Sequence, residues 1–405
     1  MDANNTTKIH AGDVQGFKYL RDLRPLFARL HEVGCASDKA GNRKLHFDQY
    51  CALVLLYMFS PTINSLRAIQ QASRLGKVQR HSGCEATSLG SLSESVGDFE
   101  PQRLREIIDE LAQQLQPVQN VRGGHLDHVL TAVDGSVIPT LTNIIEAAYL
   151  KDVHGNSKSA WRLHAQFDIE RYVPTQIDLT SGRNGGKTSE KNVLRQNLQS
   201  DHCYVLDRGY AQFTLFNAIN AIDSSYVCRL RDNCDYEILE ERPLSEAAKA
   251  KGVFLDAIVR LGRSSKRDAR PDHPIRLILI KTTPHVKRGG SSGPGSDGVL
   301  RLATNLLDVP AEILADIYQH RWSVEIFFRF LKGMLGCRHL LSHDPNGIQI
   351  QIYIAIIACM LLSLWTSRKP TRRTYEMFHH YLTGLASAEE LQEHLERYRA
   401  SSSPS

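Results

Sequence analysis

Four polar residues recur along one short stretch near the C-terminal third of the chain, IYQHRWSVEIFFRFLKGMLG, residues 317–336. They are Tyr318, Arg321, Glu325 and Lys332, at successive offsets of three, four and seven residues. At about 100° per residue, these offsets place all four within roughly a 60° sector of one helix. One face of an otherwise apolar helix would therefore carry a phenol, a guanidinium, a carboxylate and an ammonium. The alternative is a solvated i, i+4 ion pair between Arg321 and Glu325, with the other two residues incidental.

Two acidic residues share a similar setting earlier in the chain. Asp134 follows LTAV and precedes GS, and Asp207 follows CYVL and precedes RGY, so we expect each at the end of a buried strand. A carboxylate at such a position pairs with a base, caps a turn or holds a cation. For either residue alone turn capping is the simpler explanation, but Glu325 on a helix packed against the same sheet favours a shared site.

Three carboxylates with few other donors suit Mg²⁺ or Mn²⁺, which prefer oxygen ligands. Two such ions about 4 Å apart can activate an attacking oxygen and stabilise the leaving one in an in-line phosphoryl displacement. This chemistry requires the strands that carry Asp134 and Asp207 to be neighbours. A ribonuclease H-like sheet would meet that requirement.

The first 122 residues have helical patterns. An apolar helix is expected at 47–59, a second at 62–75 after Ser60-Pro61, and a third at 99–116. Two helices joined by a tight turn resemble a DNA-binding helix-turn-helix, although helical hairpins without DNA contacts are commoner. We therefore predict an all-α N-terminal domain and keep DNA binding as one possible role.

The pattern then changes to β-branched and alternating segments, which indicate a mixed α/β sheet. Strands are expected at 128–141, 160–170, 172–182, 203–210 and 224–233, and helices at 187–199 and 211–222. Residues 234–309 are strand-like around a basic segment and indicate a β-rich insertion. Pro310 is expected to open one long helix that continues through the quoted stretch. Further helices are expected at 348–367 and 387–398.

Positive charge is concentrated in one segment. The whole chain has a net charge of +5, whereas residues 260–288 contain nine Arg or Lys and two Asp, a net charge of 9 − 2 = +7. Such a segment suits a polyanion, most commonly nucleic acid, or is a solvated loop.

The remaining features exclude several other classes of protein. The eight cysteines contain no C-x-x-C pair, which is typical of reduced thiols, and His81 with Cys84 has no second pair for a zinc site. No N-terminal signal peptide is present, and the apolar run 348–365 is short for a bilayer span. We expect a soluble cytoplasmic protein that has no membrane partner. The segment 181–194 contains Gly-Lys-Thr, but Gly182 is one residue late for a nucleotide-binding loop.

The combination of DGS, LDRGY and Y-x2-R-x3-E-x6-K resembles the DDE transposases of the insertion-sequence-four family, whose signature is the YREK helix. The resemblance covers roughly residues 128–340. It implies an α/β fold in which a ribonuclease H-like catalytic core contains a β-rich insertion between Asp207 and Glu325. The implied domains are a helical N-terminal domain for binding DNA ends (1–122), the first part of the core (123–233), the insertion (234–309), the catalytic helix that completes the core (310–340) and C-terminal helices for dimerisation or core packing (341–405).

The resemblance also implies catalytic roles. Asp134, Asp207 and Glu325 would be the catalytic residues and the ligands of two Mg²⁺ or Mn²⁺ ions. The partner would be double-stranded DNA, namely the terminal inverted repeats of the element and the target DNA, and a homodimer would form the synaptic complex. Two alternatives stay open: an inactive, binding-only DNA protein and a ribonuclease H-like nuclease.

The same resemblance implies DNA contacts. Tyr318, Arg321 and Lys332 would meet the phosphates that flank the cut, and Arg208 would contact DNA beside the second aspartate. In the family, a tryptophan of the insertion stacks on a flipped base, but residues 234–310 contain no tryptophan. Tyr236 or Phe254 could take its place, because any aromatic face can stack on a base.

Overall fold

The computed structural model describes residues 23, 25–33, 43–121, 123–139, 148–151, 157–181, 186–262, 270–282, 298–334, 340–366 and 371–400. The chain forms two compact units. The first comprises residues 1–118, 138–144 and 327–405, and the second comprises residues 119–137 and 145–326.

Helices occur in both units. In chain order they are α1 (Leu30–Val33), α2 (Phe47–Phe59), α3 (Leu66–Ala72), α4 (Gly76–Ser82), α5 (Leu89–Glu94), α6 (Arg103–Gln114), α7 (Glu190–Gln196), α8 (Phe213–Asn220), α9 (Glu246–Ala250), α10 (Ala311–Gln319), α11 (Trp322–Met334), α12 (Pro345–Thr366), α13 (Arg372–Leu382) and α14 (Ala388–Ala400). The predicted helix 62–75 is thus shorter than expected, because only α3 lies within that range and α4 begins after it, at Gly76.

One ten-stranded mixed sheet dominates the second unit. Its strands are β1 (Val129–Pro139), β2 (Ala148–Lys151), β3 (Ser157–Asp168), β4 (Val173–Ser181), β5 (His202–Leu206), β6 (Ser225–Arg229), β7 (Tyr236–Glu241), β8 (Val253–Leu261), β9 (Ile275–Lys281) and β10 (Val299–Thr304). Their order is β2-β3-β1-β5-β6-β10-β9-β8-β7, and β4 pairs with β3.

The centre of this sheet is parallel. β5 pairs in parallel with β1 on one side and with β6 on the other, and α8 connects β5 to β6. The residues Cys203–Leu206 of β5 are fully buried, which is typical of a parallel strand covered on both faces. With the antiparallel β3–β4 hairpin beside β1, this arrangement confirms the predicted ribonuclease H-like α/β fold.

The predicted β-rich insertion contains β7–β10 and the short helix α9. Because β10 pairs antiparallel with β6, these strands extend the central sheet instead of forming a sheet of their own. The buried guanidinium of Arg276 on β9 pairs with the carboxylate of Asp256 on β8 at 2.7 and 2.8 Å. It also donates to the carbonyl groups of Leu306 and Leu307, so it fastens the segment that leads into α10.

Arg276 belongs to the basic segment 260–288, and other described members of that segment also have partners within the protein. Arg260 pairs with Glu237 across β7 and β8 at 2.9 Å. The ammonium group of Lys281 lies 5.7 Å from the ring centroid of Phe254, the residue proposed above for base stacking. Residues 263–269 and 283–297 lie outside the described residues.

The single long helix predicted after Pro310 is wrong, because the chain forms α10 and α11 with a break at His320 and Arg321. The N–H groups of both residues bond three residues back, to Ile317 and Tyr318, which tightens the turn. The imidazole Nδ1 of His320 lies 2.9 Å from the carbonyl oxygen of Asp316, the acceptor that a continuing helix would have used.

The first unit is helical, and it joins the N-terminal helices to those that follow residue 344. Helix α12 packs against α2 and α6, and the phenol of Tyr375 on α13 donates to the carbonyl of Met58 at 2.8 Å. Helix α12 is long and apolar enough to cross a membrane, but 89% of its most apolar window, within Pro345–Leu364, is buried. It is therefore a core helix, as predicted. The boundaries of the five domains stay predictions.

Candidate active site

The sheet brings the two aspartates to equivalent positions on neighbouring strands. In the parallel β1–β5 pair the last paired residues are Ala132 and Val205, and Asp134 and Asp207 each follow two residues later. Neighbouring strands lie about 4.8 Å apart, so both carboxylates occupy the same edge. Asp207 directly follows the end of β5, as predicted.

The predicted position of Asp134 at the end of its strand is wrong. β1 continues for five more residues to Pro139. The strand can continue because it keeps the twelve-residue strand β3 as its other neighbour after β5 has ended. Asp134 therefore projects from a strand that is still paired on one side.

The Asp134 side chain is 22% exposed, and its Oδ1 accepts the N–H of Gly135 at 2.8 Å. The pKa of Asp134 is raised to about 6, chiefly by burial and also by the nearby charges of Glu325 and Asp207, against the opposing effects of Arg321 and the Gly135 N–H. Asp134 therefore lies close enough to Glu325 and Asp207 to be repelled by both.

A tight turn holds Asp207. Its Oδ1 accepts the N–H of Gly209 at 2.7 Å, and its carbonyl oxygen accepts the N–H of Tyr210 at 3.1 Å. A Cβ atom added at Gly209 would lie 2.8 Å from that Oδ1, so a larger residue there would force the carboxylate to move. Arg208, between them, is exposed.

Arg321 connects the helical acid to the strand acids. Its guanidinium pairs with Glu325 one turn later and lies 3.9 Å from Oδ2 of Asp134. The Arg321 side chain is 8% exposed and the Glu325 side chain 28%. The same guanidinium lies 5.1 Å from the ring centroid of Trp322, whose side chain points largely into solvent. The buried guanidinium of Arg321 thus lies between the carboxylates of Glu325 and Asp134.

The other residues of the predicted helix face are distributed differently. Tyr318 is buried, and this burial raises the pKa of its phenol well above the usual value. The charges of Arg321, Arg229 and Asp207 also act on that pKa, so the phenol lies near Asp207. Lys332 lies in the last turn of α11 and belongs to the first unit.

A second ion pair near the site, between Arg162 on β3 and Glu190 at the start of α7, was not predicted from the sequence. A Cβ atom added at Gly135 would lie 2.6 Å from Oε1 of Glu190. Tyr210, also missed, is buried, and the charges of Glu190, Asp134 and Asp207 add to the burial that raises its pKa. The only signal for Glu190 in the sequence was its place after Ser189, a residue type that begins helices.

Within the described part of the chain, no group of three or more His, Cys, Asp or Glu side chains is arranged to hold a metal ion. Glu325 faces Arg321 instead of the two aspartates. The donor set itself fits a hard divalent cation, because it consists of carboxylates, and burial together with the charges of Glu325 and Asp207 raises the pKa of Asp134. The zinc candidate Cys84 is buried, and its sulfur lies 2.8 Å from the hydroxyl of Ser82.

Residues 125–361, more than half of the chain, match the family model described as the Transposase DDE domain. The chain belongs to this family. Enzymes of the family work with divalent metal ions, in agreement with the acidic donor set at the edge of the sheet. The matched range includes Asp134, Asp207 and Glu325.

Several curated relatives are similar over part of their length. The protein y4zB of Sinorhizobium fredii (strain NBRC 101917 / NGR234) is 27% identical over 206 residues, which are 50% of this chain and 52% of that protein. The "Probable transposase for insertion sequence element IS5377" of Geobacillus stearothermophilus is 27% identical over 211 residues, 52% of this chain and 50% of the relative. A Synechocystis protein (strain ATCC 27184 / PCC 6803 / Kazusa) named for insertion sequence element IS4SA is 41% identical over 183 residues, 38% of this chain and 54% of the relative. The chain thus spans about half the length of these relatives.

Among solved structures, the chain is similar to a piggyBac transposase in a synaptic complex with hairpin DNA, determined by cryo-electron microscopy. The TM-score is 0.46 at 12% identity, and the alignment covers 100% of this chain and 84% of the other. The likeness is too distant to support further inference.

Proposed function

We propose that the protein is the DNA transposase of an insertion sequence, acting on the double-stranded terminal inverted repeats of its element and on target DNA. One observation carries the proposal. In a chain of the DDE family, Asp134 and Asp207 occupy equivalent register positions on parallel neighbours, and Glu325 lies within their electrostatic reach. That arrangement suits phosphodiester hydrolysis at the element ends, followed by strand transfer.

Asp134, Asp207 and Glu325 would hold two Mg²⁺ or Mn²⁺ ions. When bound, such ions activate the attacking oxygen and stabilise the leaving one. Water would attack the phosphorus at the element end, and the bond to the 3′ oxygen would break to leave a 3′-hydroxyl. That hydroxyl would then attack a phosphorus of target DNA and release a target 3′-oxygen. Glu325 pairs with Arg321 in the structure, and it would join the two aspartates by separating from that arginine.

The DNA backbone offers Arg321 a replacement partner. A guanidinium binds phosphate oxygens through two parallel hydrogen bonds, as it binds carboxylates. A phosphate next to the cut would therefore draw Arg321 from Glu325 and release that carboxylate to the metal site. In this way DNA binding and completion of the catalytic centre would be coupled.

Other side chains would hold the substrate. Arg208 is exposed beside Asp207, and Lys332 would add a point charge for a flanking phosphate. Tyr318 is buried and keeps its proton, so it would act as a hydrogen-bond donor. The exposed ring of Trp322 gives a base a surface for stacking next to the acids. Because two ends are cut and joined together, a homodimer would be the active form, working in the cytoplasm.

Cleavage of a labelled duplex that carries the terminal repeat of the element tests this function. The wild-type protein is expected to nick at the element boundary in Mg²⁺ and not in EDTA. Nicking at many unrelated positions would favour a plain nuclease instead. Binding to the repeat without any nicking would favour a binding-only protein.

A further inference from the structure

Glu190 is a fourth carboxylate near the acids of the site. It is the first residue of α7, after Ser189, whose hydroxyl accepts the N–H of Asn192. An acid in the first turn of a helix is stabilised by the exposed N–H groups there. Its side chain is nevertheless 25% exposed, so the carboxylate is directed largely into the protein.

The partner of Glu190 is Arg162 on β3. The guanidinium NH1 of Arg162 donates to Oε1 of Glu190, and the Arg162 side chain is 16% exposed. Two charges withdrawn from water hold each other firmly, because separation would leave either one unpaired in a poorly solvated place. The pair therefore fixes the position of the Glu190 carboxylate relative to the sheet.

This fixed carboxylate lies against the residue that follows Asp134. A Cβ atom at Gly135 would lie 2.6 Å from Oε1 of Glu190 and 3.1 Å from its Cδ. The N–H of the same Gly135 donates to Oδ1 of Asp134 at 2.8 Å. Arg162, Glu190, Gly135 and Asp134 thus form one continuous series of contacts that ends at a candidate metal ligand.

Tyr210 shows independently that Glu190 belongs to this cluster. The Tyr210 side chain is buried, and among the charges that act on its phenol, Glu190 has a larger effect than Asp134 or Asp207. Glu190 and Tyr210 also line the same small cavity.

We propose that Glu190, held by Arg162, is a positioning residue for Asp134: it seats the Gly135 peptide and so fixes the Asp134 carboxylate for a divalent cation. This inference rests on the proposed function for the identity of that cation. Glu190 acts by packing, so its effect depends on the absence of a side chain at position 135.

Mn²⁺ binding to the protein without DNA tests the proposal. The electron paramagnetic resonance signal of the free ion is the readout of this binding. Glu190→Ala and Gly135→Ala are each expected to weaken Mn²⁺ binding roughly ten-fold, the usual size for a residue that orients a metal ligand. The double variant is expected to bind Mn²⁺ at most about two-fold more weakly than Glu190→Ala alone. Without the Glu190 carboxylate, the methyl group added at position 135 has nothing to displace. Glu190→Gln keeps the volume of the side chain, so its Mn²⁺ affinity should fall less than that of Glu190→Ala.

Glu237→Ala is the matched control, since Glu237 also pairs with an arginine but lies on β7 at the edge of the sheet. It should keep wild-type Mn²⁺ affinity, and thermal unfolding should show every variant folded. Unchanged Mn²⁺ affinity in Glu190→Ala, or losses that multiply in the double variant, would overturn the inference. Neither result bears on the proposed function. That function is contradicted separately, if the wild-type protein binds Mn²⁺ but does not cut the terminal repeat.

Discussion

Arg321 and Glu325, one helical turn apart, form an ion pair whose guanidinium also lies 3.9 Å from Asp134. Through this pair, Glu325 contacts Arg321 instead of approaching Asp134 and Asp207. The structure thus combines a candidate metal ligand and a candidate phosphate contact in one interaction, and exchange of partners at Arg321 would decide when the acidic centre is complete.

Replacement of Arg321 separates these two roles. In Arg321→Met, Glu325 loses its partner and Asp134 loses the nearest positive charge, so the metal-free protein should be less stable by about 1–2 kcal/mol. Mn²⁺ should then raise the thermal midpoint more than in wild type, since the ion relieves an uncompensated repulsion. Differential scanning calorimetry with and without Mn²⁺ measures both effects. An equal Mn²⁺ response in the two proteins would argue against competition between Arg321 and the ion.

Gly209 is predicted to be essential for activity but not for folding. A methyl group there would lie 2.8 Å from Oδ1 of Asp207 and push that carboxylate out of its turn. Gly209→Ala should therefore reduce DNA nicking at least about 100-fold, with a change in stability of roughly 1 kcal/mol. Gly90→Ala is the control, because its nearest neighbours would be 3.7 and 3.8 Å away. Wild-type nicking by Gly209→Ala would mean that the turn is not the catalytic conformation.

His164 gives the protein a predicted sensitivity to acid. The side chain is buried on β3, with Nε2 2.8 Å from the hydroxyl of Thr180, and burial lowers its pKa from 6.5 to about 4. Below pH 6.5, His164 binds a proton in the unfolded chain but not in the folded protein. Stability is therefore lost as the pH falls from 6.5 to about 4, by about 3 kcal/mol in total.

Urea unfolding at pH 7 and pH 4.5 measures this loss. The loss should be smaller by about 2 kcal/mol in His164→Asn, which has no group to protonate. His125→Asn, at an exposed histidine, should retain the wild-type loss. If His164→Asn lost as much stability as the wild type, other groups would be responsible for the acid sensitivity.

The arginines of the basic segment should differ sharply in their effect on stability. Arg276→Ala leaves Asp256 buried and unpaired and removes the bonds to the carbonyls before α10, so it should cost about 3–5 kcal/mol. Arg260→Ala breaks an exposed pair with Glu237 and should cost about 1 kcal/mol or less. Urea unfolding compares the two. Similar small costs would show that Arg276 is not structural.

The central fold could be predicted from the sequence because it depends on local signals. The runs around CYVL and SYVCR are short, apolar and β-branched, and both became buried parallel strands, β5 and β6. Asp207 was found because a carboxylate that directly follows such a run is an evident exception. Asp134 was found for the same reason, although its strand continues past it to Pro139.

The features that were missed depend on contacts between distant residues. No proline or glycine marks the break at His320, because the break uses a side-chain bond to Asp316 and the burial of Arg321 against Asp134. Glu190 lies 55 residues after Gly135, and only the folded sheet brings them together. The basic segment gave a net charge but not the internal partners of its arginines, which are acids on neighbouring strands.

Nicking by single-carboxylate variants tests the central claim most directly. Asp134→Asn, Asp207→Asn and Glu325→Gln would be compared with wild type and with Glu312→Gln, an acid of α10 that bonds Ser245 away from the site. All would act on the same labelled terminal-repeat duplex in Mg²⁺. If the three acids form one two-ion centre, each of the three variants binds the duplex but loses nicking at least about 1,000-fold, while Glu312→Gln cuts like wild type. If any one of the three cuts at the wild-type rate, that acid is not a metal ligand and the assigned centre is wrong.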